Sequence, residues 1–433
     1  MRTPGVRRMR QEDSQMKTII RSFAVSVVLL GVGAATFAAP AFARAKKVEE
    51  AKGPKLTDAV RKQLLEVQTK QTAGDNAGAL AALRVAEQVP NRTTDDNYYI
   101  ANLKIGIGQA IKDNALVKEG LEGALATGQV PADKQVTFNR ALGDIAVNAK
   151  DYANATRYYQ AVLQAKPGDT EVANNLARLA FDNRALSAQA RIAAIKNATD
   201  MSEQQNRKAE EFLYQARLQV AFDAKLQSEI EPAAKALIAA YPTPKNWESA
   251  IYAFRGGRKM DEQTDIDVYR LQRAAGAMTG EGQFLDYAQA AQIRGLPAES
   301  RAVLNEGVAK KLVDPTRPNY LELSRLVSPA KIAADRASLA GLEQRSRAAP
   351  NGKLADATAD GYLSHGVYAK AAELYRLALS KGGVDAARTN TRLGIALAMS
   401  GDKAGADAAF KAVSGEPRAG LASYWMIWVN HKA

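Results

Sequence analysis

The sequence predicts an all-α fold in which antiparallel helix pairs stack side by side. Three observations carry that prediction. Helix formers (Ala, Leu, Lys, Arg, Gln and Glu) dominate the 433 residues, aromatic residues make up 6%, and there are only 15 prolines. No extended series of alternating Val/Ile/Thr segments with Asn-Gly or Asp-Gly turns calls for a sheet. Small and aromatic residues also recur with spacings that repeat along the chain at about 34 residues, the mark of a helical hairpin used many times.

Residues 1–43 read as a targeting segment. Lys17 and Arg21 form a basic start, Phe23 to Ala39 is an apolar run, and Ala41-Phe42-Ala43 is a small-x-small cleavage pattern. Cleavage after Ala43 is expected, followed by a flexible linker over 44–57. The apolar run is short and gives way to Pro40 and Arg44-Ala45-Lys46-Lys47, so an uncleaved anchor is the lesser reading. The Arg-rich stretch before Met16 is unusual in a signal peptide, and Met16 is the alternative start. A chain so processed is exported to the bacterial periplasm and carries no integral membrane span, although association with the membrane surface stays open.

Cysteine is absent, which excludes disulfides, thiolate metal sites, thiol nucleophiles and a lipid-bearing cysteine. The formal charge of +13 falls to +9 once the net +4 of residues 1–43 is removed. That excess fits weak attraction to anionic glycan, lipopolysaccharide or membrane, and export argues against nucleic acid. A solvated basic surface without a specific ligand is the plainer reading.

The helical repeats run as follows. Over 58–200, Gly74-Asp75, Ala79, Leu83, Ala86 and Pro90 form a second-helix half, and Asn97 to Leu125 reads as a pair with its turn at Asp113-Asn114. Residues 136–169 then place Leu142-Gly143, Ala155, Tyr159 and Pro167 at the spacings of a close-packed hairpin. In these positions the chain resembles the tetratricopeptide repeat family. The resemblance implies a right-handed superhelix in which Gly143 and Ala155 let two helices approach and Tyr159 fills the gap to the next pair. Leu176-Ala177 continue the register within a first helix from Asn174 to Phe181, with a partner from Ala185 to Ile195.

Residues 201–347 read as degenerate repeats or a helical insert. Ser202 to Phe222, Lys225 to Ala240, Trp247 to Phe254 and Thr264 to Met278 have helical apolar spacing. Pro242-Thr243-Pro244 and Arg255-Gly256-Gly257-Arg258 break it. Small residues return at Ala288, Ala291, Gly295, Ser300 and Gly307. Over 348–418 two tandem copies are expected: Ala359, Tyr362, Ala371 and Tyr375, with Gly366 at the turn and Gly382-Gly383 at the end; then Leu393, Gly394, Ala406 and Phe410, with the turn at Gly401-Asp402. The tail 419–433 is expected to cap the last repeat with Leu421, Tyr424, Trp425, Trp428 and Val429.

Chemistry-bearing motifs are scarce. The two histidines, His365 and His431, lack a metal-binding partner at helical spacing and read as surface residues. Gly106-Ile107-Gly108 falls inside a predicted helix, so it is no dinucleotide loop. Glu210-Glu211 and Glu49-Glu50 diverge as neighbours in sequence and read as solvated charge rather than a glycosidase pair. No catalytic residue, metal or cofactor is expected.

The family resemblance implies that first helices line a ligand groove. Its slots fall on Arg140 and Asp144, Asn174 and Arg178, and Arg388 and Arg392, where guanidinium groups could receive a carboxylate or acidic peptide. The expected role is an envelope scaffold for a protein or peptide partner, within an assembly or polysaccharide-export complex. A glycan-binding or glycan-processing protein with its active element in the middle helices is the alternative.

Overall fold

The computed structural model describes residues 55–256 and 258–431; the expected signal peptide and most of the linker lie outside them. Among these residues all regular structure is helical. The helices are α1 (Asp58–Thr72), α2 (Asn76–Glu87), α3 (Thr94–Ile111), α4 (Asn114–Ala126), α5 (Ala132–Asn148), α6 (Tyr152–Ala165) and α7 (Thr170–Asp182). There follow α8 (Ala188–Gln204), α9 (Glu211–Asp223), α10 (Gln227–Ala240), α11 (Pro244–Arg255), α12 (Glu262–Ala274), α13 (Glu281–Ile293) and α14 (Pro297–Ala309). The last are α15 (Pro318–Leu326), α16 (Pro329–Ala348), α17 (Lys353–Ser364), α18 (Tyr368–Lys381), α19 (Ala386–Ser400), α20 (Lys403–Lys411) and α21 (Arg418–His431). Short connections join them, and consecutive helices pack on one another everywhere but between α15 and α16, which makes the described chain a solenoid of antiparallel hairpins.

One turn builds most hairpins. A residue with positive φ follows the first helix, and the amide of the next residue bonds back across five residues. Glycine holds that position at Gly74, Gly295, Gly366 and Gly401, whereas lysine holds it at Lys112, Lys150 and Lys225. The return bonds run from Asp75, Asp113, Asp151, Leu226, Leu296, Val367 and Asp402 at 2.8–3.0 Å. Two of these turns, at Lys225 and Gly295, lie in the middle region, so those helices form hairpins of the same construction as their neighbours. Aspartates at 75, 113, 151 and 402 then cap the second helix by accepting from its first-turn amides.

The expected single helix from Ser202 to Phe222 is instead two. Asn206 adopts φ 53°, and residues 205–210 form the corner between α8 and α9. Asparagine tolerates the left-handed region better than most residues, which accounts for the break at this point.

Glycines in the predicted repeats are seats for aromatic rings. A Cβ built on Gly143 would stand 2.4 Å from Tyr159 Cε1, and one on Gly394 would stand 2.5 Å from Phe410 Cε1. Gly108 and Gly120 serve the α3–α4 crossing, where added methyl groups would meet Val117 and Ile105 at 2.9 and 2.7 Å.

The largest apolar core draws on residues 173–277 and again on 339–429, whereas Met278 to Val327 build a smaller cluster of their own together with Ile266. The chain therefore makes an excursion through α13–α15 and returns. On returning, α21 packs against α19 and α20 but also against α10 and α12. Its aromatic residues are buried in two directions: Trp425 stacks on Phe410 at 6.1 Å, whereas Tyr424 lies 5.2 Å from Phe254 and 6.5 Å from Trp247. The tail thus covers the last repeat as a cap would, and it also joins that repeat to α10 and α12, which begin 191 and 156 residues earlier.

Candidate functional site

The predicted groove residues fall on successive first helices, where a polar row runs across α5, α7, α9 and α11. Arg140 on α5 donates to Glu171 and, at 2.5 Å, to Asp169, the buried residue that caps α7. Asp144 is exposed and accepts from Tyr159 Oη at 2.6 Å, and Asn175 Nδ2 lies 3.5 Å from that same oxygen. Burial and the neighbouring Asp144 carboxylate together push the Tyr159 phenol far above its ordinary pKa. Asn174 and Arg178 on α7 both donate to Glu210, which precedes α9. Glu211 accepts from Asn246 Nδ2 at 2.8 Å and Gln215 Nε2 at 3.2 Å, carrying the row onto α11.

Each arginine in this row spans from one repeat to the next and already holds a carboxylate. Arg140 and Arg178 keep 23% and 33% of their side-chain surface, so both stay open to solvent. The Arg178 guanidinium also stands over the Phe212 ring at 4.6 Å. Glu210 and Glu211, read from sequence as solvated charge, are members of the row. The separation of Arg178 from Glu210 by about one repeat was the available signal.

The two C-terminal groove positions behave differently. Arg388 pairs with buried Asp356. Arg392, expected to face a groove, is 1% exposed. Its guanidinium donates to Asp360 at 2.6 Å, to Gln263 Oε1 at 2.7 Å and to Asp267 at 3.2 Å. Around it lies a buried cluster that sequence reasoning missed. Asp267, fully buried on α12, also accepts from Arg270 at 2.7 Å and from Arg418 at 2.9 Å. Arg270 makes a two-pronged contact with Glu299 at 2.7 and 2.8 Å, and Tyr287 donates to the same carboxylate at 2.5 Å. Burial alone would raise the Asp267 carboxyl, but Arg392, Arg270 and Arg418 outweigh it and hold the group below its usual range. The signal in the sequence was an aspartate between Ile266 and Val268 with an arginine three residues on.

The expected packing residues Leu142, Ala155, Tyr159, Ala359, Tyr362, Ala371, Tyr375, Leu393, Ala406 and Phe410 are all buried, and Pro167 lies exposed in the turn after α6. His365, expected at the surface, has a side chain only 7% exposed with Nε2 2.7 Å from Asp335 Oδ2, because α16 lies across the end of α17. Among the described residues no cluster of His, Asp and Glu has metal-binding geometry, and no helix is long and apolar enough to cross a membrane.

These hairpins and this row define the class: an all-helical solenoid with a polar face shared by consecutive repeats. No protein-family model matches the chain, and neither does any curated protein. Among solved structures the chain is similar to one in the structure of Naa15/Naa10 bound to HypK-THB, with a TM-score of 0.25 and 14% identity. That likeness covers 83% of this chain and 63% of the other, so the chain spans less than two thirds of that protein's length. It is also similar to a chain of the APC/C hetero-tetramer Cut9-Hcn1, with a TM-score of 0.17, 11% identity, and coverage of 82% and 86%.

Proposed function

We propose that this chain is an exported scaffold of the bacterial envelope that binds a protein or peptide partner along the row from Arg140 to Asn246. One observation supports the reading above others. Arg140, Asp144, Asn174 and Arg178 present partly exposed donors and acceptors on consecutive first helices, a continuous line suited to an extended or helical segment. The partner's carboxylates and amides would exchange with Glu171 and Glu210, so binding is reversible and selective rather than catalytic. The basic excess would assist approach to anionic surfaces without defining the partner.

The test is site-specific photo-crosslinking in intact cells, with the crosslinker at Asn174 or, as a control, at Val85 on α2. A discrete protein adduct at 174 that disappears with Asp144→Ala plus Arg178→Ala is expected. Retention of the purified chain by peptidoglycan or anionic polysaccharide, unaffected by that double change, would replace the scaffold reading with a glycan-binding one. Export is checked separately, by a periplasmic form whose N-terminus is Arg44.

A further inference from the structure

The seam where the C-terminal repeats return to the middle of the chain has an unusual composition. On one side stand α10 and α12, on the other α19 and α21. Charge fills its centre. Asp267 and Gln263 of α12 face Arg392 of α19 and Arg418 of α21. Around them four carboxylates (Asp267, Glu299, Asp360 and Asp356) balance four guanidinium groups (Arg270, Arg392, Arg418 and Arg388). A buried, balanced cluster of this kind adds little net stability but sets register, because any misplacement leaves a charge alone.

The apolar flank of the seam is imperfect. Tyr424 Oη, on the face of α21 turned toward Phe254, is buried without a hydrogen-bond acceptor, and water would satisfy it on separation. Gly420 marks how closely the two sides approach, since a Cβ there would meet Phe254 of α11 at 3.0 Å and Glu231 of α10 at 3.5 Å. From the excursion, α14 adds a polar tie to α17 of the returning repeats, through the Glu299 amide donating to Ser364 Oγ at 3.0 Å.

We propose that this seam is a releasable latch in which α12 is an internal ligand of the C-terminal repeats, seated by Asp267 between Arg392 and Arg418. Release uncovers those arginines for an outside helix that offers a carboxylate where α12 offers Asp267. This rests on the scaffold reading and adds a second, self-covered binding face to it. The latch keeps that face filled until an acidic helix displaces α12.

The chain's lack of cysteine makes the test direct. Ser228→Cys on α10 and Lys411→Cys on α20, both exposed positions, carry a spin-label pair that reports the distance across the seam in the full chain. Gly420→Trp is the wedge. It is expected to add a longer distance population and to let a synthetic peptide of residues 259–277 bind at least tenfold more tightly than it binds the unwedged chain, with Asp267→Asn in the peptide abolishing the gain. An unchanged distance in a cooperatively folded Gly420→Trp chain overturns the latch, as does an opened chain that ignores the peptide. Should the wedge prevent folding, hydrogen exchange in the unaltered protein decides. Amides of α12 and α21 exchanging together, well before those of α9, support a seam that opens; exchange of all three at one rate overturns it. Crosslinking at Asn174 is unaffected by either outcome, so failure of the latch is separable from failure of the scaffold.

Discussion

The phenol of Tyr375 donates to Asp360 Oδ1 at 2.6 Å across 15 residues, and Tyr159 donates to Asp144 Oδ1 at the same distance and the same separation. The two hairpins are thus stapled by one device, an aromatic ring seated on a small residue with its hydroxyl held by the next side chain along the first helix. In the last hairpin Phe410 takes the ring position and Ile395 the acid position, and both are buried. Donor and acceptor have been replaced together, which leaves no buried group unpaired.

That device yields the first prediction. Tyr375→Phe should destabilise the chain by about 1–2 kcal/mol, because half-buried Asp360 loses a donor, whereas Tyr159→Phe should cost about half as much, since exposed Asp144 can turn to water. Urea melts of the two variants give the comparison. Equal losses would show that the hydroxyls do not differ in setting.

Close helix crossings yield the second. Gly143→Ala and Gly394→Ala push a methyl group into Tyr159 and Phe410 and should each cost about 1–3 kcal/mol. Gly106→Ala, whose new methyl meets nothing nearer than Gln71 at 3.9 Å, should stabilise α3 by about 0.5–1 kcal/mol. Melting temperatures that fall for all three would remove the distinction between seats and open faces.

Ion pairs between repeats yield the third. Arg140→Glu sets a third carboxylate beside Asp169 and Glu171, and with Asp169 only 5% exposed the loss should reach about 2 kcal/mol. Arg178→Glu, opposite a Glu210 side chain 43% exposed, should cost less than about 1 kcal/mol while still removing a partner contact. Thermal melts of the unliganded variants check the order, and a larger loss at Arg178 would contradict it.

The fourth concerns acid. Glu343 accepts from Lys370 and Arg347, each at 2.8 Å, and from Tyr362 at 3.0 Å, so its carboxyl is held down at about 2 against an ordinary 4.5. A carboxyl depressed on folding stabilises the folded chain above its unfolded pKa and loses that contribution as pH falls toward its folded pKa. The stability gap between the wild type and Glu343→Gln should therefore be full at about pH 6, shrink below pH 4.5 and close near pH 2. Denaturant melts across that range measure it; a gap that stays constant down to the acid end would place the effect outside ionisation.

Much of the fold is legible without coordinates, and the reason is locality. Gly143 with Tyr159 and Gly394 with Phe410 lie 16 residues apart within single hairpins, so period and residue size announce them. Turns are legible where glycine holds the positive-φ position, as at Gly366 and Gly401. They are harder to read where lysine holds it, as at Lys150, because nothing in a lysine marks a left-handed residue.

Residue letters alone determined that the chain is helical, that its helices pair, and that small residues seat aromatic rings within each pair. Only tertiary structure decided which charges are solvated. Arg178 and Arg392 occupy equivalent-looking slots, yet one is partly open and the other is sealed against Asp267, 125 residues away. A guanidinium group looks the same in sequence wherever it ends up. Its surroundings are set by long-range packing, and no local spacing records the return of α19 and α21 onto α12.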